Sequence, residues 1–184
     1  QVLDHMFLDG LEDAYDKGRL MGTFAEDCAS AYGFAREQQD AFALASLSRA
    51  LAAEKTGQVA PEIVPVEAPS GRDSRLIAHD QQPAQAKPDK IPTLKPAFRK
   101  DGTVTAANSS SISDGAAALV VMRQSEAERR GLAPLAQIVG HASYANQPGL
   151  FTTAPVAAIR RLLDRNGWTV ESVDLYEVNE AFAV

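Results

Sequence analysis

Three stretches of this chain carry side chains that could do chemistry. The first is Asn179-Glu180, set between an apolar run that starts at Val173 and the Ala181-Phe182-Ala183-Val184 that follows. A carboxamide just after a strand can hold a water or polarise a carbonyl through its N–H, and ligands of α/β sheets gather at the carboxyl ends of strands. The neighbouring carboxylate can orient it. The same pair also reads as an ordinary helix start, with Asn179 as N-cap of a helix beginning Glu-Ala-Phe. On the residues alone both readings stand. The second stretch is "TAANSSSISDGAAA", residues 105 to 118. A Ser-rich turn that enters a strand through Asp114-Gly115 offers hydroxyls and backbone N–H groups on a surface of small side chains, where a slender ligand can lie close to the backbone. A flexible connection has the same composition, and the two readings are again even. The third is "KPDKIPTLKPAFRK", residues 87 to 100. Five cations (Lys87, Lys90, Lys95, Arg99, Lys100) stand there against Asp89, a local charge of +4. It reads as a solvated loop or as a landing site for a polyanion such as a nucleotide phosphate.

Other reactive side chains point nowhere in particular. Cys28, the only cysteine, falls mid-helix with no histidine in its segment, which is the setting of a buried spectator. His5, His79 and His141 have no spacing that suggests a metal site, and none is expected. One cysteine excludes an internal disulfide and makes a reducing compartment the default. No basic-then-apolar leader is visible, so a cytoplasmic location is expected. No apolar run approaches the ~20 residues of a membrane helix. A net charge of −6 gives no general attraction for nucleic acid, so an anionic ligand must be met by local cations. With 45% hydrophobic and 23% charged residues in 184, the chain is an ordinary soluble folded protein of one domain or two small ones.

The elements that must position these groups are legible in part. Thr23-Phe24-Ala25-Glu26 reads as a capping box opening a helix to about Tyr32, with Gly33 in the terminating position. A second helix is predicted from about Arg36 to Lys55, apolar along Phe42, Ala45, Leu47 and Leu51, with Gly57 beyond it. Glu62 to Val66 is a strand candidate interrupted by Pro65. From Pro61 to Pro96, a region holding seven of the ten prolines, an irregular excursion is expected. "AAALVVM" after Gly115 has the pattern of a strand buried on both faces. Ser125 to Glu128 reads as a further capping box, closed by Gly131. Gln137 to Gly140 is a strand candidate. Pro155 opens a helix striped by Val156, Ile159, Leu162 and Leu163 and ended by Asn166-Gly167, and Val173 to Val178 is the next strand. That order predicts a βαβ unit, and hence an α/β fold with a parallel sheet in the last third.

Taken together, "GLEDAY", "MGTFAED", "REQQDAFALAS", "LKPAFRKDGTVTAANSSSISDGAAA" and "YEVNEAFA" resemble the thiolase family, in particular acetyl-CoA acetyltransferases and 3-ketoacyl-CoA thiolases. The resemblance spans nearly the whole chain, with poor register only from about Pro69 to Pro92. It implies the central part of a thiolase fold, layered α-β-α-β-α, with an inserted, mostly helical loop domain. On that reading residues 1–111 are the coenzyme A-binding loop domain. Residues 112–132 hold the last strand and end of the N-terminal half, and 133–184 start the C-terminal half. Coenzyme A is implied as substrate, with no prosthetic group. Asn179 matches the Asn that holds a catalytic water in an oxyanion hole for the thioester oxygen. Ala181 and Phe182 match positions lining the pantetheine tunnel. Ser110 matches the serine that contacts the pantetheine, with Ala106, Ser109 and Ile112 beside it. Leu11, Met21, Phe98 and Phe151 match apolar pocket positions.

The departures from the family pattern are specific. Ala107 and Ser111 stand where many relatives have Gly. Leu20 stands where biosynthetic relatives often carry His, and one extra residue lies between Leu11 and Met21. The family's loop Arg falls near Pro83, so Lys87, Lys90 or Lys95 is left to serve the phosphates. The nucleophilic Cys is expected ahead of Gln1, and the activating His and second Cys after Val184, so the chain is expected to be an internal piece, inactive alone. Its expected partners are acyl-CoA, the remaining thiolase segments and further copies in a dimer or tetramer. The other readings are a non-catalytic coenzyme A-binding or interaction module of thiolase ancestry, and a decarboxylating condensing enzyme, which Asn179 disfavours.

Overall fold

Helix α1 (Met21–Tyr32) and helix α2 (Arg36–Lys55) carry the frame of the first part of the molecule in a computed structural model that describes residues 2–184. The chain divides into two compact units. One comprises residues up to Ser110 together with Glu180–Val184, and the other runs from Ser111 to Asn179.

In the first unit a single π-turn (Phe7–Leu11) leads to a loop closed by an antiparallel bridge between Glu12 and Leu20. That bridge places Leu11 and Met21 one residue beyond it on either side. Helix α1 then begins two residues before the predicted cap. Its N-cap is Leu20, and Thr23 lies inside the first turn, where its hydroxyl donates to the Leu20 carbonyl at 2.7 Å. Glu26 does not cap either, because its buried carboxylate is claimed by the backbone of residues 103 and 104. Gly33 ends the helix at φ 70°, in the left-handed region that glycine adopts without a Cβ penalty. Helix α2 spans the predicted range, with the Gln38 side chain accepting from Ala35 N–H at its start. Its expected apolar side is not its buried side: Phe42, Ala45 and Leu51 are exposed and Leu47 half-exposed, whereas Gln39 and Asp40 are buried. Polar contacts in the first two turns fix the helix orientation and outweigh its weak apolar stripe.

The Pro-rich region is more ordered than expected. The strand candidate Glu62 to Val66 is not a strand as a whole: a 3-10 turn (Ala60–Glu62) ends at its first residue, 63–65 are irregular, and a strand begins only at Val66. Strands β1 (Val66–Ser70) and β2 (Asp73–Ile77) form an antiparallel hairpin about Gly71. Pro69 fits because a two-stranded sheet is all edge. A short helix α3 (Gln81–Gln85), capped by Asp80, and a 3-10 turn (Pro88–Thr93) follow.

In the second unit, helix α4 (Gln124–Arg129) starts from Arg123 without a side-chain cap. Glu128 instead accepts from Gln124, and Glu126 pairs with Arg129 and Arg130. Helix α5 (Ala154–Asn166) matches its prediction, with Leu163 buried and Gly167 ending it at φ 65°. It packs on the stretch 140–144. Arg161 and Arg165 donate to the carbonyls of Ser143 (2.7 Å) and His141 (3.2 Å), and Arg161 stands over the Tyr144 ring. The three predicted strands 116–122, 137–140 and 173–178 carry no ladder among the described residues. Their apolar side chains are open, Leu119, Val120 and Leu175 at close to nine-tenths exposure. The order of apolar segment, helix and apolar segment is that of a βαβ unit, but a parallel ladder forms only when strands flank one another.

Candidate functional site

The turn 103–110 is built from buried polar contacts. The Glu26 carboxylate on α1 accepts from the N–H of Thr103 (3.0 and 2.9 Å), the N–H of Val104 (2.9 Å) and the Thr103 hydroxyl (3.2 Å). Gly102 makes this approach possible, because a Cβ there would lie 2.1 Å from Glu26 Oε1. Asn108 then closes the turn: its Oδ1 accepts from Thr105 N–H at 2.7 Å and its Nδ2 donates to the Thr103 carbonyl at 3.1 Å. The same Nδ2 donates to Asp40 on α2 (3.1 Å), and Asp40 is held by Arg36 at 2.7 Å. Arg36 also donates to the carbonyls of Ile91 and Leu94, both at 3.0 Å, which ties the middle of the cation-rich loop into the same network.

The end of the chain lies along this turn. Ser110 N–H donates to the Ala181 carbonyl at 2.8 Å, Ala183 N–H donates to the Asn108 carbonyl at 2.9 Å, and Ser109 faces Phe182 in an antiparallel bridge. Residues 181–183 are therefore extended, and the alternative of a helix beginning Glu-Ala-Phe does not occur. Glu180 accepts a hydrogen bond from the Ser46 hydroxyl on α2. Phe182 meets Phe98 edge to face, with centroids 6.2 Å apart and planes at 79°. Phe98 in turn lies on Gly22 at the start of α1, where a Cβ would fall 2.2 Å from its ring.

Of the residues singled out by sequence, the first unit thus gathers Ser109, Ser110, Ala181, Phe182 and Phe98, with Met21 next to Gly22. Ala106 lies exposed in the same turn, and Leu11 sits beside Met21 across the 12–20 bridge. The Ser109 hydroxyl is used within the turn, donating to the Thr105 carbonyl at 2.7 Å. In the second unit Asn179 and Ile112 are exposed on segments without a ladder, and Phe151 is half-buried in the 3-10 turn (Pro148–Thr153). The loop cations divide by role. Lys87, Lys90, Lys95 and Lys100 are exposed, whereas Arg99 is engaged with Asp27, which also pairs with Arg19. These guanidiniums, Arg99 foremost, hold the Asp27 carboxyl below the usual carboxylate range. Cys28 is half-buried within α1. Among the described residues no cluster of three or more His, Cys, Asp or Glu could hold a metal, and no helix is long and apolar enough to cross a membrane.

Sequence reasoning passed over the roles of Gly22, Arg36, Asp40 and Asn108, and gave Glu26 a capping role in place of its contact with residues 103 and 104. The signals were present in weak form: an Arg-x3-Asp pair at helical spacing, an Asn three residues after Thr105 that suits an Asx-type turn, and a Gly in a helix's first turn.

Two family models divide the chain between them. The thiolase N-terminal domain matches residues 1–125 and the thiolase C-terminal domain matches residues 132–184. The chain belongs to the thiolase family. It is 47% identical over 190 residues to an acetyl-CoA acetyltransferase of Chromobacterium violaceum, and 44% identical over 186 residues to one of Schizosaccharomyces pombe. Each match takes in all of this chain and 47% of the relative. The thiolase chain thus spans about half the length of the curated relatives it matches. Among solved structures it superposes on a thiolase from Ascaris suum, crystallised with coenzyme A, at TM-score 0.91 and 39% identity, covering the whole of this chain and 47% of that one. The acetyl-CoA acetyltransferase of Bacillus anthracis gives TM-score 0.89 at 41% identity, over 94% of this chain and 44% of that one. The α/β thiolase fold expected from the motifs is therefore the fold of this chain.

Proposed function

We propose that this chain forms the coenzyme A-binding part of a thiolase of the acetyl-CoA acetyltransferase type. The activity is acyl transfer between coenzyme A thioesters, cleaving a 3-ketoacyl-CoA with CoA to acyl-CoA and acetyl-CoA, or condensing in reverse. One observation supports this most directly: the Ser109-Ser110 turn and the Ala181-Phe182 segment run side by side, with Phe98 closing against Phe182. A turn of small side chains walled by two aromatic rings suits a narrow, flexible thioester arm. Ser110 and Ala106 would contact that arm, with Met21 and Leu11 lending apolar surface; Ile112 and Phe151 are given an apolar pocket role by the motif resemblance alone. The exposed Lys87, Lys90 and Lys95 would meet the phosphates.

In the proposed reaction a Cys thiolate attacks the ketone of the 3-ketoacyl-CoA, the C–C bond breaks, and the released enolate takes a proton from an acid on the remaining thiolase segments to leave as acetyl-CoA. Free CoA, giving its thiol proton back to that group, then accepts the acyl group and frees the Cys thiolate. Negative charge develops on a thioester oxygen in each half, that of the departing acetyl-CoA enolate and then that of the acyl-enzyme, and a donor preorganised for it is worth about 3 to 4 kcal/mol. Asn179 would supply that stabilisation through a held water. On this reading Cys28, half-buried inside α1, is a spectator, and the remaining thiolase segments are the partners that would bring the thiolate and its base. We further propose that residues 1–111 act as the coenzyme A loop domain, 112–132 as the end of the N-terminal half and 133–184 as the start of the C-terminal half. The assembled enzyme would work as a homo-oligomer in the cytoplasm.

Calorimetric titration of the 184-residue chain with coenzyme A tests the binding claim. Saturable binding is expected, and Ser110→Tyr, which fills the small-residue surface, should abolish it. Equal binding by this variant, or none by the unaltered chain, would overturn the reading.

A further inference from the structure

The pairing of 108–110 with 181–183 is a single bridge with two backbone hydrogen bonds, and both segments are short. What fixes it in place is not in the pairing itself. Asn108 contributes its backbone carbonyl to Ala183 N–H, while its side chain is buried at 3% exposure and reaches the opposite way, to Asp40 and to the Thr103 carbonyl. Asp40 is itself buried at 5%, with one carboxylate oxygen accepting from Asn108 Nδ2 and the other from Arg36 Nε. Arg36 is fixed by two carbonyls of the 88–94 stretch. A continuous chain of polar contacts therefore runs from that stretch through α2 to the turn against which Ala181-Phe182 is held.

We infer that Asp40 is a positioning residue of the coenzyme A site. Through Asn108 it sets where the Ser109-Ser110 backbone and the Ala181–Ala183 segment lie, without touching ligand. The inference rests on the coenzyme A reading above for the identity of the ligand, and on the hydrogen bonds alone for the positioning. The carboxylate is required in this place because both neighbours are donors. In Asp40→Asn, an amide oxygen turned to Arg36 sets Nδ2 against Asn108 Nδ2. Turned to Asn108, it sets Nδ2 against the guanidinium. Either way two donors face each other in a buried site, and an unmet buried group weakens the arrangement.

The deciding measurement is amide hydrogen exchange by NMR on the 184-residue chain, together with coenzyme A titration. Ser110 and Ala183 donate the two N–H bonds of the pairing, so their exchange should speed in Asp40→Asn, while the amides of the β1–β2 hairpin keep their rates. Coenzyme A affinity should fall about tenfold, and affinity for adenosine 3′,5′-bisphosphate, which lacks the pantetheine arm, should stay within about twofold. Asn108→Ala should reproduce both effects, and the double variant should be no worse than the poorer single, because the two residues act along one route. Unchanged exchange at Ser110 and Ala183 would overturn the positioning claim. Faster exchange with unaltered coenzyme A affinity would reduce Asp40 to a structural contact and overturn its place in the site. Failure of the unaltered chain to bind coenzyme A would sink the functional reading separately, since the exchange rates are read without ligand.

Discussion

The ring of Phe98 occupies the space that any side chain at position 22 would need: a Cβ on Gly22 would sit 2.2 Å from Phe98 Cε2. No real Cβ makes such a contact, so Gly22 and Phe98 are one packing unit. Because Phe98 also meets Phe182 edge to face, the start of α1 governs the aromatic wall of the proposed tunnel. Gly22→Ala is expected to push the ring off α1 and destabilise the chain by about 1 to 3 kcal/mol, the usual cost of overpacking. Thermal unfolding measures this. Phe98→Ala removes the obstacle, so adding Gly22→Ala to it should cost little more. Full additivity of the two changes would show that the contact does not govern either site.

A second prediction concerns Glu26 and the turn it holds. The carboxylate accepts from two backbone amides and a hydroxyl while buried, and a glutamine would present an NH₂ group to donors. Glu26→Gln should therefore cost about 1 to 3 kcal/mol, the penalty for an unmet buried group. Gly102→Ala should act on the same contact, since its Cβ would meet Oε1 at 2.1 Å. Both variants should melt at lower temperature than the unaltered chain, and the residue 103 and 104 amides should lose protection from exchange. Retained protection in both would refute the anchoring role.

These two cases show why only part of the architecture was legible in the sequence. The C-terminal ends of α1, α2 and α5 follow from local rules, because Gly33, Gly57 and Gly167 take left-handed φ just beyond them and such signals act within one turn. Glu26 had the local appearance of a capping box, but a contact 77 residues away won, since a buried carboxylate must be satisfied while an exposed N-cap amide can bond water. The buried side of α2 was missed for a related reason: Gln39 and Asp40 are polar, and hydrophobic periodicity has no means of flagging a buried polar network. The segments 116–122 and 173–178 have strand composition, yet a ladder depends on neighbours that local pattern does not specify. The motif resemblance assigned Ser109 and Phe182 each to the pantetheine site, but their pairing was not legible, because it joins residues far apart in the chain.

The Asp27 ion pairs give a pH prediction with a definite sign. Arg99, and with it Arg19, holds the folded-state carboxyl below its ordinary value, so the unfolded chain binds the proton more tightly than the folded one. The stabilisation is then fully present above the unfolded value of about 4 and is lost as pH falls through the lower folded value. The melting temperature of Asp27→Asn should accordingly lie below that of the unaltered chain at pH 7, with the gap closing on acidification below that range. Because Asp27 is partly exposed, the gap should also shrink in 1 M salt, where the Debye length falls to about 3 Å. A gap that widens in acid would contradict this assignment.

The last prediction separates the contribution of this chain from that of the proposed whole enzyme. Thiolysis needs a thiolate aimed at the substrate carbonyl, and Cys28, half-buried within α1, is the only cysteine here. The purified 184-residue chain should therefore bind coenzyme A and yet give no thiolysis of acetoacetyl-CoA. In a protein that joins it to the remaining thiolase segments, activity should appear, and Asn179→Ala should lower kcat by a factor of about 100 to 1,000, the cost of removing one oxyanion donor. Coenzyme A affinity should change little, because the proposed role of Asn179 is toward charge that develops only during reaction. Thiolysis by the isolated chain would show that Cys28 or another of its groups serves as nucleophile. A fall in affinity that matches the fall in kcat/KM would move Asn179 from the reaction to ground-state binding.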